Sequence, residues 1–140
     1  MLNIIEKYLQ RIGVEYSIAN NQKTFSFEVQ APQGQWNCLL LLHGRTGIGF
    51  YSILPFIVPQ AQRADIALYL MWLNNERVFG NFELDLETGE IRFKTYIDCE
   101  SSPLNERMLD RTMLINVATM QKYLPQIMGQ IRQPKQANAA

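Results

Sequence analysis

The stretch from Asn74 to Glu100, NNERVFGNFELDLETGEIRFKTYIDCE, governs the reading of the whole chain. Phe82, Leu84 and Leu86 alternate with Asn81, Glu83 and Asp85. After the turn ETGE, Ile91, Phe93, Thr95 and Ile97 alternate with Arg92, Lys94, Tyr96 and Asp98. Period-two alternation on both sides of a glycine-containing turn predicts a β-hairpin with one buried and one wet face. Leu84 and Phe93 are expected on the core side. One polar face is acidic and the other basic, so opposite charges meet across the strands. Such pairs contribute about 0.2–1 kcal/mol each, enough to favour one register.

Working outward, Pro59 precedes QAQRADIALYLMWLNN. Ala64, Leu68, Met71 and Trp72 fall on one helical stripe, with Ile66, Leu70 and Leu73 on the adjoining side. So wide an apolar arc predicts a helix buried on more than one side, between layers or at an interface. Downstream, SSPLNE offers a helix start, with a serine ahead of Pro103 and Glu106 following. Met113, Val117, Met120, Leu124, Ile127 and Ile131 then recur at steps of three and four. Pro125, inside this stripe, is expected to kink or split the helix.

Upstream, Leu2, Ile5, Leu9 and Ile12, with Tyr8 beside them, predict a short amphipathic helix over Leu2–Ile12, stopped by Gly13. Val14, Tyr16 and Ile18 read as a short edge strand, and ANNQK as a turn. Phe25, Phe27, Val29 and Ala31 mark a strand with one wet face. PQGQ turns the chain into WNCLLLLHG, apolar on both faces as a covered central strand would be. RTGIG reads as a second turn and FYSIL as the next strand. The following segment, ILPFIVP, lies between Pro55 and Pro59 and is expected to be an exposed loop rather than a strand. Phe56, Ile57 and Val58 would then form, with Trp72, a candidate protein-binding or dimer interface.

The pattern predicts an α+β fold in the order α-β-β-β-α-β-β-α, an antiparallel sheet of about five strands with helices packed on it. Residues 1–131 form a single domain, and residues 132–140, which lack apolar periodicity, are expected to be a flexible tail. Apolar residues make up 47% of the chain, which argues for a folded core and against disorder. Thirteen basic and thirteen acidic residues cancel, so no global charge favours nucleic acid. The start of the chain, MLNIIEKYLQRIG, does not read as a leader. The most apolar run is broken by His43, Arg45, glycines and Pro55, so no membrane span is expected and the cytoplasm is the expected location.

Reactive side chains are sparse. Cys38 and Cys99 lie far apart and form neither a CxxC motif nor a zinc-ligand set, and both are expected to be free structural thiols. His43 is the only histidine and reads as a structural residue ending a strand. Cys99 is flanked by Asp98 and Glu100, which disfavour the thiolate. GRTGIG lacks the lysine and the helix of a phosphate-binding loop and reads as a hairpin turn. Glu83, Asp85, Glu87 and Glu90 read as a solvated face. In NERMLDR, Glu106 and Asp110 form one like-charge i,i+4 pair and Arg107 and Arg111 another, as on a mixed charged helix surface. No catalytic residue, metal site or cofactor is expected.

The succession LMWLNNE, FGNFELDLETGEIRFKTYID and ATMQKYLPQI, spanning residues 68–131 at its best, resembles the bacterial YbjN family. Those proteins are similar in fold to the class I chaperones of type III secretion. Asn74 and Gly80 correspond to a helix-terminating asparagine and a strand-entry glycine of the family. The resemblance implies a small cytoplasmic homodimer that binds protein, as a chaperone-like or regulatory module, without turnover. It carries over no catalytic residue. The alternatives are a small-ligand or nucleotide sensor using the turn after His43, and an enzyme of unrecognised type.

Overall fold

In a computed structural model, residues 1–132 and the backbone of Lys135–Gln136 are described. Helix α1 (Leu2–Ile12) leads into strands β1 (Tyr16–Ala19), β2 (Thr24–Ala31), β3 (Gly34–His43) and β4 (Gly47–Ile57). One 3-10 turn at Gln60–Gln62 opens helix α2 (Arg63–Asn75). The hairpin β5 (Asn81–Leu84) and β6 (Glu90–Asp98) follows, then helix α3 (Glu106–Gln130) and the short strand β7 (Lys135–Gln136). The sheet runs β1-β2-β3-β4-β6-β5, each neighbour antiparallel, and β7 pairs with β4 at Phe56 and Ile57. The fold is thus the α+β architecture that the alternation predicts, an antiparallel sheet with helices packed on it.

The hairpin forms in the expected register, with Phe82 opposite Phe93 and Glu83 opposite Arg92. Glu83 lies 3.5 Å from Arg92 and 3.5 Å from Lys94, the cross-strand acid–base match read from the alternation. Phe93 is fully buried, whereas Leu84 is half-buried and Leu86, already in the turn, is exposed. Ile5, Tyr8 and Leu9 of α1 enter the same core as Phe25, Leu40 and Phe50, and Gly13 caps the helix in the left-handed conformation. Asn20, Asn21 and Gln22 are all left-handed, which lets the β1–β2 turn close tightly.

Four expectations are corrected. The segment ILPFIVP is not a loop: β4 continues through Pro55 to Ile57. Its pairing with β6 is irregular between Ile53 and Ile57, and proline fits such a bulge because it has no N–H to donate. RTGIG is not all turn either, because β4 begins at Gly47. A Cβ on Gly47 would run into the Tyr96 ring, and one on Gly49 would meet Tyr51 and His43, so these glycines are packing positions for aromatic rings. Helix α3 is capped not by a serine but by Asn105, whose side chain accepts from the Met108 N–H at 3.0 Å. Pro125 does not split α3, which is assigned without a break from Glu106 to Gln130. In the expected tail, the Arg132 N–H donates to Gln62 at 2.8 Å and Lys135–Gln136 pair with β4, while residues 133, 134 and 137–140 lie outside the described residues.

Helix α3 lies against β4 and β6, and α1 packs on α3. The middle of its buried stripe is polar: Thr112, Asn116 and Thr119 are buried beside Leu109, Met120 and Tyr123. Asn116 explains this placement. Its amide donates to the Phe50 carbonyl (3.0 Å), the Phe93 carbonyl (3.2 Å) and Thr95 Oγ1 (3.2 Å). Its Oδ1 accepts from Ser52 at 2.6 Å, and Ser52 accepts from the Trp36 indole N–H at 3.0 Å. Thr112 donates to Thr95 at 2.8 Å. Replacing Asn116 by leucine orphans several buried polar groups at roughly 1–3 kcal/mol each, so Asn116→Leu is expected to lose at least about 3 kcal/mol in chemical denaturation. A loss below about 1 kcal/mol would show that the network contributes little. Phe93→Ala is expected to cost about 3–5 kcal/mol and the half-exposed Leu84→Ala clearly less.

Candidate interaction surface

The expected interface residues do not share one surface. Phe56 and Val58 are buried, at 4% and 0% exposure: β4 carries Phe56 into the core, and Val58, just past its end, donates its N–H to the Gly89 carbonyl. Ile57 is half-buried. Trp72, by contrast, is 58% exposed on the outer side of α2. The correction follows from the strand itself: once Pro55 is accommodated at a bulge, alternation resumes and turns Phe56 inward.

Helix α2 divides its apolar residues between two sides. Ile66, Leu70 and Leu73 are buried against the domain, and Leu68, Met71 and Trp72 are exposed. Ala61, Ala64, Leu68, Met71 and Asn75 are exposed at alternating steps of three and four, so they line one face along the 3-10 turn and the helix. No charged residue occurs between Asp65 and Glu76. Past the end of the helix Val78 and Phe79 protrude, at 88% and 57% exposure. Leu86, on the turn of the β5–β6 hairpin, lines a shallow groove with Met71, Leu70 and Leu84.

Arg63 holds the hairpin turn at this place. Its guanidinium donates to the carbonyls of Leu86 (3.0 Å), Glu87 (2.9 Å) and Thr88 (3.2 Å), and its Nε to Val58 (3.0 Å). The turn is shaped to receive it. Asp85 Oδ1 accepts from the N–H groups of Glu87 and Thr88, which hold its carboxyl below the usual range. Gly89 has φ of 80°, and a Cβ there would strike the Val58 carbonyl and approach Arg63. At the other end of α2, Asn74 Oδ1 accepts from the Phe82 N–H (2.7 Å) and its Nδ2 donates to the Phe82 carbonyl (2.9 Å). The side chain takes the place of a neighbouring strand along the outer edge of β5.

The other candidate chemistry is structurally occupied. His43 Nε2 lies 3.1 Å from the Tyr51 hydroxyl, and its ring tilts against Tyr51 and Tyr96. Cys38 is fully buried beside Ser52, and burial pushes its thiol up to about 12. Cys99 is partly buried, and burial and then Asp98 raise its thiol as well. Among the described residues no group of three or more His, Cys, Asp or Glu side chains could hold a metal. No helix described is long and apolar enough to cross a membrane. With both cysteines free, a colourimetric thiol reagent at pH 8 is expected to modify Cys99 slowly and to reach Cys38 only on unfolding. Rapid modification of Cys38 in the native protein would contradict its placement.

The exposed stripe of α2 was legible in the sequence as an apolar arc too wide for one contact. The contribution of Leu86 was not, because the Arg63 clamp that holds the hairpin turn beside α2 joins residues far apart in sequence.

No protein-family model and no curated protein matches this sequence. Among solved structures, the chain is similar to YbjN from E. coli, described as a candidate transcription regulator. The TM-score is 0.74, the alignment covers 96% of each chain, and 11% of residues are identical. At that identity the likeness is one of fold, and the chain has the YbjN-like architecture from α1 to α3.

Proposed function

We propose that this chain is a non-enzymatic protein-binding module of a chaperone-like or regulatory kind, and that it self-associates as a homodimer through the outer face of α2. The observation that carries the reading is that face. Leu68, Met71 and Trp72, each more than half exposed, lie on an uncharged stretch of helix. With Leu86 beside Met71 they make an exposed apolar patch of the kind that marks protein contact sites. A twofold arrangement would cover the same patch on both copies. The likeness in fold to a candidate regulator supports the regulatory form of the reading. Trp72 remains the anchor expected from the sequence, and the interface is carried by α2 rather than by Phe56 and Val58.

The reading places the protein in the cytoplasm, acting on protein rather than on nucleic acid or membrane. Sedimentation at about 100 µM is expected to give twice the chain mass of 16.2 kDa. Met71→Asp, which adds a charge at an exposed position, is expected to give a folded monomer, while Asp at an exposed site away from α2, such as Ala118→Asp, leaves the dimer intact. A wild type that stays at 16.2 kDa removes the dimer, and a dimer indifferent to Met71→Asp moves the interface elsewhere.

A further inference from the structure

We propose that the free edge of β6, from Thr95 to Asp98, is a docking site for an extended peptide with acidic side chains, which joins the sheet there as a short strand. This rests on the reading of the chain as a protein-binding module and gives it a second site, separate from the face of α2. β4 pairs with β6 as far as Asp98, but β5 pairs with it only up to Lys94. Beyond Lys94, β6 is therefore an edge among the described residues. Alternation shows which backbone groups lie open. The Glu90 carbonyl accepts from the Asp85 N–H at 2.9 Å, on the β5 side. The Cys99 N–H donates to the Thr46 carbonyl at 2.8 Å, on the β4 side. Tyr96 and Asp98 are in step with Glu90, so their N–H and C=O groups point out of the sheet, with no backbone partner among the described residues.

This edge opens into a cavity of about 310 Å³ between β6 and α3. Thr95, Tyr96, Ile97 and Asp98 all line it. Side chains of consecutive strand residues point to opposite faces, so what these four present in common is the strand edge. Phe79, Met108 and Ile115 provide apolar walls, and the exposed Arg111 stands at the rim. The charges of NERMLDR are sorted: Glu106 and Asp110 pair with Arg11 of α1 at 3.4 and 3.2 Å. Arg107 and Arg111 have no ion-pair partner among the described residues. Asp98 is the one carboxylate lining the cavity, and its Oδ1 accepts from the Glu100 N–H at 2.9 Å.

An open strand edge, an apolar pocket and an uncompensated arginine together fit a strand that alternates apolar and acidic residues. Its main chain would pair with Tyr96 and Asp98, its apolar side chains would enter the cavity, and a carboxylate would meet Arg111. A second copy of β6 pairing edge to edge fits less well, because the arginines of the two copies would crowd one another near the twofold axis. Among the described residues the outer edge of β1 is also open, but its residues are mostly exposed and none of the cavities described adjoins it.

The test uses the full chain, isotopically labelled, with three blocked eight-residue probes: alternating Val and Glu, alternating Val and Lys, and the Val/Glu peptide with a central proline. The Val/Glu peptide is expected to shift and protect the Tyr96 and Asp98 amides and to bind at least about tenfold more tightly than Val/Lys. The proline peptide should bind weakly, and Arg111→Glu, folded by circular dichroism and unchanged in sedimentation mass, should reverse the charge preference. Four results overturn the proposal: no Val/Glu binding at about 1 mM, binding without charge preference, protection centred on β1, or Tyr96 protection that grows with protein concentration alone. Because Met71→Asp addresses only the α2 face, its retention of peptide binding keeps this site even if the dimer reading fails.

Discussion

One buried side-chain amide, that of Asn116, ties α3 to the sheet. It bonds to backbone on two strands, β4 and β6, and through Ser52 it reaches Trp36 on β3. Apolar packing is non-directional, and a helix lined with Met, Leu and Ile can rotate on a sheet at modest cost. A hydrogen-bonded amide cannot, because each partner left behind loses its bond in a medium without water. The face of α3 that packs on the sheet therefore carries Thr112, Asn116 and Thr119 beside the apolar Leu109, Met120, Leu124 and Ile127. With α3 set, α1 has a surface to pack on, through Tyr8 to Met113 and through Arg11 to Glu106 and Asp110.

The same sheet sets the places where the domain can meet others. α2 lies against β5 with one apolar side and turns the other outward. The hairpin is drawn to that outward side by Arg63, a cation that makes its bonds to carbonyls and so organises a turn without being an ion pair. At the opposite end of β6 the sheet has no further partner among the described residues, because β5 is shorter than the strand beside it. Both features are consequences of element length and placement.

Much of this was legible in the residues. α1 was delimited by its apolar spacing and Gly13, and the hairpin by its alternation and charge match. The misreadings have local physical causes. Pro55 was weighed as a strand breaker, but a bulge in an otherwise long strand absorbs it, and Phe56 and Val58 are buried as a result. Gly47 and Gly49 read as turn residues, and the ring that needs the bare backbone of Gly47, Tyr96, comes from a distant part of the chain. The role of Asn116 is not legible, since nothing in a single sequence distinguishes a buried asparagine from an exposed one. Of the candidate interface only Trp72 stands on the surface that α2 offers, because the chain continues past Pro55 as strand and takes Phe56 and Val58 into the core.

The Asn74 side chain, bonded to both backbone groups of Phe82, has a consequence for how this chain tolerates change in length. Surface connections commonly accept extra residues at small entropic cost. The connection from Glu76 to Gly80 is short and exposed and looks like such a place. Yet the groups that Asn74 reaches belong to a strand of period two. One inserted residue that shifted β5 along would present Asn74 with a residue whose N–H and C=O point to β6 instead. Length variation between α2 and β5 is therefore expected to be selected against in steps of one.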